Sequence, residues 1–160
     1  MIGRCLCLRP EGANWAAAYR LANQLVRQDW AVLWLQQAAT VGGEAVPAGA
    51  LLVPMAQPLQ TTEMDHEARQ KIVSWARAAG LAVVEGEVGE IWACEVPDAR
   101  IAIYGEAGSP FPHLTHLTTL GFHVEPVTAA QIRAGVLFTY DLLIVPGGGW
   151  DGMFGQMRPL

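Results

Sequence analysis

Two long helices are predicted in the first half of the chain, because apolar residues recur there at helical spacing. The first begins after Asn14, a residue suited to the N-cap position, and its apolar positions are Trp15, Tyr19, Ala22, Leu25 and Val26. The second begins near Thr62 and ends at Gly80, and its apolar positions are Ala68, Ile72, Trp75, Ala76 and Ala79. Both patterns are typical of amphipathic helices that cover one face of a sheet.

Shorter helices and eight strands complete the predicted elements. One short helix runs from Ser109 or Pro110 to Gly121, and Thr128 with Gln131 has the capping-box spacing of a further helical turn. Apolar runs predict strands near residues 4–8, 31–35, 50–54, 81–85, 91–95, 100–104, 123–127 and 142–146. Because strands alternate with helices, we expect an α/β fold with a mostly parallel sheet flanked by helices.

A weak internal repeat indicates two β-α-β-β units. Residues 30–54 align without a gap over residues 122–146, and each segment follows an Arg-led apolar run and a helical pattern. Chance and the constraints of a shared fold are alternative explanations of the match. The segment 96–99 is the predicted joint between a lead lobe, residues 1–98, and a second region, residues 99–160.

Composition and charge exclude several classes of protein. With 52% hydrophobic and 16% charged residues, the 160-residue chain is expected to be globular with a sizeable core. The net charge is −5 and there is no basic run, so we expect neither a nucleic-acid partner nor a membrane surface. The first residues lack the apolar core of a signal peptide, which favours a cytoplasmic location. Cys5, Cys7 and Cys94 are predicted to be reduced, buried thiols.

The stretch Leu142 to Gly149, LLIVPGGG, is the strongest candidate for a functional site. An apolar run that ends in Pro-Gly-Gly-Gly predicts a buried strand that leads into a flexible turn at a sheet edge. The backbone N–H groups of Gly147, Gly148 and Gly149 could bind an oxyanion or an anionic ligand, although the glycines could equally form only a tight turn. No metal site is predicted.

Two further residues are candidate neighbours of the glycine turn. Glu106 follows the strand at 100–104 by two residues, where its carboxylate could reach the same sheet edge. Trp150 follows the glycines directly and could cover a bound ligand. The alternatives are a solvated loop carboxylate for Glu106 and a core side chain for Trp150.

Other reactive residues lack the pattern that chemistry requires. His113, His116 and His123 have no carboxylate or cysteine at ligand spacing, and the chain contains no His-x-x-Glu pair, so solvated or capping histidines are the preferred interpretation. No Gly-x-Cys-x-Gly or Gly-x-Ser-x-Gly elbow follows the glycine turn. The catalytic residues are therefore unknown, and whether the chain is an enzyme stays open.

Residues 100–149 resemble the start of a class I glutamine amidotransferase-like domain, of the branch that includes the N-terminal domain of some biotin-protein ligases. The most specific segment is TAAQIRAGVLFTYDLLIVPGG. Similar regions follow the catalytic domain of some zinc carboxypeptidase-like proteins. In those proteins a further segment precedes the amidotransferase-like region, and residues 31–54 resemble that segment. The resemblance implies a flavodoxin-like or amidotransferase-like fold, an oxyanion-hole N–H from the turn at Gly147–Gly149, and a nucleophilic cysteine on a later elbow. None of the three cysteines matches that elbow.

The expected function is therefore that of an amidotransferase-like module, non-catalytic or truncated, that binds a small ligand or a partner at the glycine turn. One alternative is a cysteine-dependent amidotransferase or hydrolase whose nucleophile lies beyond Leu160, and another is an accessory domain of a zinc carboxypeptidase-like protein. We expect no cofactor, and a small molecule or another domain of the same polypeptide as partner. We also expect the natural protein to be longer at its C-terminus. The sequence indicates no oligomeric state.

Overall fold

A computed structural model describes residues 3–12, 14–56, 64–105 and 112–146 of the chain. The chain divides into two compact units, Met1–Asp98 (unit 1) and Ala99–Leu160 (unit 2). Unit 1 contains a seven-stranded sheet, and unit 2 contains a separate three-stranded sheet.

The sheet of unit 1 is antiparallel, so the expectation of a mostly parallel sheet of flavodoxin-like or amidotransferase-like type is wrong. Its strand order is β4-β3-β6-β1-β5-β2-β7, and neighbouring strands pair in opposite directions throughout. The elements are β1 (Gly3–Pro10), α1 (Trp15–Val26), β2 (Leu33–Leu35), β3 (Ala39–Val41), β4 (Glu44–Val46), β5 (Leu51–Pro54), α2 (His66–Ala78), β6 (Leu81–Val88) and β7 (Ala93–Glu95).

The two helices of unit 1 explain why strand and helix alternation did not produce parallel neighbours. Helix α1 joins β1 to β2, which run in the same direction, but β5 lies between these two strands and pairs with both. Helix α2 joins β5 to β6 in the same way, with β1 between them. The order β6-β1-β5-β2 with two crossover helices is the split β-α-β arrangement of ferredoxin-like folds.

A hairpin inside unit 1 was missed by the sequence patterns. Strands β3 and β4 pair across a turn at Gly42 and Gly43, whose φ angles are 56° and 89°. Both values are positive, as a two-residue hairpin turn of type I′ requires, and a Gly-Gly pair is one of its sequence signals. No strand is predicted between residues 35 and 50, because β3 and β4 are each only three residues long.

Unit 1 buries residues on both faces of its sheet. Along β1, Leu6 and Leu8 face the helices, while Cys5 and Cys7 face the opposite side. On the helix side, the fully buried residues include Leu25, Val32, Leu51, Val53, Ile72 and Ala76. On the opposite side, they include Leu35, Val41, Ala50 and Leu52. The hairpin contributes to the second cluster and so covers a face that a simple helix-on-sheet layer would leave in water.

Helix α2 is attached to the sheet through Glu85. The Glu85 carboxylate accepts hydrogen bonds from Arg69 of α2 and, at 2.6 Å, from Arg4 of β1. The two guanidinium groups hold the pKa of Glu85 below its ordinary value, chiefly through the hydrogen bond from Arg69. One carboxylate therefore joins three elements of the unit.

The helix ends use their polar residues in different ways. Asp65 caps α2, because its carboxylate accepts a hydrogen bond from the backbone N–H of Ala68 at 2.7 Å. Asn14 occupies the N-cap position of α1 as expected, but its side chain makes no capping bond. Its amide instead donates to the backbone carbonyl of Ala79 at 2.6 Å and so links the start of α1 to the end of α2.

In unit 2, neighbouring strands of the sheet are parallel. Its elements are β8 (Arg100–Tyr104), α3 (Pro112–Thr119), β9 (His123–Val127), α4 (Ala129–Arg133), a 3₁₀ turn (Val136–Thr139) and β10 (Leu142–Ile144). Strand β8 lies between β10 and β9 and is parallel to both. The expected capping box between Thr128 and Gln131 is confirmed.

The expectation of two β-α-β-β units of similar plan is also wrong, because the two sheets differ in strand order and direction. The segment 30–54 contains the β3–β4 hairpin and antiparallel pairings, whereas the segment 122–146 contains α4, a 3₁₀ turn and strands that pair in parallel with β8. The alignment reflects similar spacing of apolar runs. It does not reflect a shared arrangement of strands.

Candidate functional site

The strand order of unit 2 reverses around its central strand, β8. The chain passes from β8 to β9 on one side and then places β10 on the other side of β8. In open α/β sheets, ligands bind at such a reversal, outside the carboxyl ends of the strands. We call the edge beside the ends of β8 and β10 the carboxyl-edge crevice.

The residues at this edge are in register. Ile103 of β8 lies beside Ile144 of β10, and Tyr104 lies beside Val127 of β9. The N–H of Gly105 donates to the carbonyl of Val127 at 3.0 Å, which extends the ladder one residue past the end of β8. The end of β8 is thus held on both sides.

The predicted site residues lie outside the described residues. Glu106, Gly147, Gly148, Gly149 and Trp150 are not among them. In the chain, however, Glu106 follows Gly105 directly and Gly147 follows Pro146 directly. The two described segments that lead to these residues come from the neighbouring strands β8 and β10, at the same edge of the sheet.

The opposite edge of the sheet carries a polar cluster that the sequence reasoning missed. The carboxylate of Asp141 accepts a hydrogen bond from the backbone N–H of Arg100 at 2.8 Å, and the N–H of Asp141 donates to the Arg100 carbonyl at 2.9 Å. The Arg100 guanidinium lies 5.1 Å from the centre of the Tyr140 ring. These contacts connect the starts of β8 and β10.

Tyr140 also connects the cluster to β9. Its hydroxyl donates to the Glu125 carboxylate at 2.6 Å, and this hydrogen bond raises the pKa of Tyr140 above its ordinary value. The sequence carried no signal for this pairing, since the two residues are 15 positions apart and belong to different elements. Because Arg100 and Asp141 lie at the amino ends of β8 and β10, we assign the cluster to stability rather than to ligand binding.

The cysteines of unit 1 do not form a reactive site. Burial raises the pKa of Cys5 to about 12 and that of Cys7 to about 11, which keeps both as neutral thiols. Cys94 is exposed, so the expectation of a buried thiol is wrong there. The reason is that β7 lies at the edge of the sheet and pairs only with β2.

The histidines considered as metal ligands lie on α3 and at the start of β9, where their side chains are exposed. Within the described ranges, no group of three or more His, Cys, Asp or Glu side chains is arranged to hold a metal ion. None of the helices in the described part of the chain is long and apolar enough to cross a membrane.

Comparison of the chain with models of protein families, with curated proteins and with solved structures finds no match.

Proposed function

We propose that unit 2 is a ligand-binding module of amidotransferase-like character, and that its site is the carboxyl-edge crevice, completed by the turn at Gly147–Gly149. The observation that carries the proposal is the reversal of strand order between β9 and β10 around β8. The resemblance of residues 100–149 to amidotransferase-like domains supports the same site.

The chemistry expected at the site is recognition of an oxygen atom that carries negative charge. Glycine backbones permit close approach, and adjacent N–H groups can donate to one carboxylate, phosphate or carbonyl oxygen. We expect the Glu106 carboxylate to select against a second anionic group and to favour a ligand that also carries an amine. An amino acid satisfies both requirements.

Binding without catalysis is favoured by the position of the cysteines. All three cysteines belong to unit 1, and the two with raised pKa values are fully buried. An amide-hydrolysing site needs an activated nucleophile beside its oxyanion donors. We therefore expect the 160-residue chain to hydrolyse glutamine no faster than a blank reaction.

The proposal is tested by NMR titration of the ¹⁵N-labelled chain with two probes, L-glutamine and inorganic phosphate. At least one probe is expected to shift the amides of Tyr104, Gly105 and Val145, which belong to the described part of the crevice. The Gly148→Val variant is expected to lose these shifts, because a side chain would occupy the position that the ligand approaches. Absence of shifts at these amides with both probes would contradict the proposal.

A matched control separates loss of binding from loss of folding. Gly89→Val adds the same side chain in unit 1, at a glycine where an added Cβ meets nothing within 4 Å. Both variants should melt close to the wild type, and only Gly148→Val should stop binding. A Gly148→Val protein that binds with unchanged affinity would move the site away from the turn. Glutamine hydrolysis that disappears in Cys94→Ala would instead favour the enzymatic alternative.

A further inference from the structure

A groove on the outer surface of unit 1 has the features of a small-molecule site. It lies between α1 and α2 and has a volume of about 470 Å³. Its apolar lining comes from Ala17 and Leu21 of α1 and from Trp75 and Ala79 at the end of α2. Pockets of roughly 300–1,000 Å³ with apolar linings and a few polar groups are typical of sites for small organic ligands.

Two polar side chains of α1 line the same groove. Arg20 and Gln24 are four residues apart, so they project from the same side of the helix. The Nε–H of Arg20 donates to the carbonyl of Ala16 at 3.3 Å, which directs the guanidinium along the helix. Among the described residues, both ion pairs use the carboxylate of Glu85, and Arg20 takes part in neither.

The charge of the surrounding helices differs in sign from that of the whole chain. The chain has a net charge of −5, yet α1 contains Arg20 and no acidic residue. Helix α2 contains Arg69, Lys71 and Arg77 against one acidic residue, Glu67. Arg69 is neutralised by Glu85, but Lys71 lies with its ammonium 4.8 Å from the centre of the Trp75 ring. Asp65, the N-cap of α2, adds a second carboxylate at the far end of that helix, and the charged residue that lines the groove itself is Arg20.

The end of the groove is held in place before any ligand arrives. The Asn14 amide donates to the carbonyl of Ala79 at 2.6 Å and so fixes the start of α1 against the end of α2. Gly80 leaves room for this contact, since a Cβ there would lie 2.7 Å from the Asn14 side-chain nitrogen. A groove that is already formed loses less conformational entropy on binding.

From these contacts we infer that the groove between α1 and α2 binds a planar aromatic carboxylate. The ring packs on Trp75 and the other apolar lining residues, the carboxylate accepts hydrogen bonds from the Arg20 guanidinium, and Gln24 donates from the same helix. A guanidinium matches a carboxylate with two parallel hydrogen bonds, and an indole face suits a flat ring. This site belongs to unit 1 and is independent of the crevice proposed in unit 2.

The test uses two probes of the same shape, the anion 2-naphthoate and its neutral analogue 2-naphthamide. In NMR titrations of the ¹⁵N-labelled chain, 2-naphthoate is expected to shift the amides of Ala17, Leu21 and Ala78. Raising the salt concentration from about 50 mM to about 500 mM should weaken the binding of naphthoate and leave the binding of naphthamide unchanged, because salt screens only the charged ligand.

Two variants separate the roles of charge and ring. Arg20→Gln should lower the affinity for naphthoate by about tenfold, because it removes a charge-assisted hydrogen bond to the carboxylate, while the affinity for naphthamide is unaffected. Trp75→Leu should weaken both probes, because it removes the surface on which the ring packs. The control is Arg27→Gln, which removes a charge at the end of α1 outside the groove and should change naphthoate affinity by less than roughly twofold.

Three results would overturn the inference. One is that naphthoate leaves the groove amides unshifted at millimolar concentration. Another is that naphthamide binds the wild type as tightly as naphthoate does, because the negative charge of the ligand would then contribute nothing to binding. The third is that Arg20→Gln and Arg27→Gln weaken naphthoate equally, which would indicate attraction by net charge alone. Melting curves of all variants confirm that each comparison is made between folded proteins.

Discussion

The two units bury their apolar residues to different extents. Unit 1 has a central strand, β1, with buried side chains on both faces and a hydrophobic cluster on each side. Unit 2 also buries its central strand at Ile101, Ala102 and Ile103. Large apolar side chains are exposed in both units, Trp15 and Trp92 in unit 1 and Phe138 and Leu142 in unit 2. The two hydrophobic clusters, however, consist of unit 1 residues.

The difference follows from how each sheet is covered. In the antiparallel sheet of unit 1, the helices cover one face and the β3–β4 hairpin contributes to the cluster on the other. A parallel sheet must be covered by helices on both faces, and this needs more chain than an antiparallel hairpin does. We therefore expect unit 1 to be the more stable unit, and the following predictions test that comparison.

The largest effect is expected from Leu6→Ala in unit 1. Leu6 is fully buried against α1 and α2, so the variant should lose about 2–5 kcal/mol of unfolding free energy. The measurement is urea unfolding followed by NMR signals of each unit. Phe138→Ala is the matched control in unit 2 and should change stability by less than roughly 0.5 kcal/mol. A similar loss in both variants would mean that burial does not distinguish the units.

A smaller effect is expected from Gly86→Ala, which tests the close approach of the hairpin. A Cβ on Gly86 would lie 2.2 Å from the Cα of Gly42, so β3 would have to move away from β6. Such overpacking typically costs about 1–3 kcal/mol. Gly89→Ala, which adds a Cβ in open space, is the control. Gly86→Ala should melt at a lower temperature than Gly89→Ala. Equal melting temperatures would contradict the close packing of the hairpin against β6.

The buried thiols predict a loss of stability in alkali. Burial raises the pKa of Cys5 from 9.0 to about 12 and that of Cys7 to about 11. The contribution of these neutral thiols to the free energy of unfolding is therefore complete below pH 9, and it is lost as the pH rises toward the raised pKa values. At pH 10, one unit above the ordinary pKa, the expected loss is about 1 kcal/mol for each thiol. The double variant Cys5→Ala, Cys7→Ala should show a smaller change in unfolding free energy between pH 8 and pH 10. An unchanged pH dependence would mean that these thiols do not contribute.

The smallest effect is expected in the polar cluster of unit 2. Glu125→Gln removes the carboxylate that raises the pKa of Tyr140, so the pKa should fall toward its ordinary value in a spectrophotometric titration. Because the cluster is exposed, the change in unfolding free energy should be below about 1 kcal/mol. Titration of the Tyr140→Phe variant identifies the Tyr140 signal by its absence. A Tyr140 pKa that stays unchanged in Glu125→Gln would contradict the hydrogen bond.

The candidate site was predictable only in part. The strand at residues 142–144 and the strand at 100–104 were both expected, and the structure places them side by side in parallel. That adjacency places the ends of both strands at the same edge of the sheet. By contrast, the groove between α1 and α2 could not be predicted, because Arg20 and Trp75 are far apart in the chain and meet only when the helices pack on the same sheet.

The sequence by itself determined where most helices and strands lie, because apolar spacing and capping residues act within a few positions of the chain. The tertiary structure decided which strands are neighbours. Strand β5 lies between β1 and β2, and β1 lies between β5 and β6. Each helix therefore connects two strands that run in the same direction but are separated by an antiparallel strand. The physical reason is that local periodicity specifies the face that each element buries. It does not specify which distant strand supplies the hydrogen bonds at its edges.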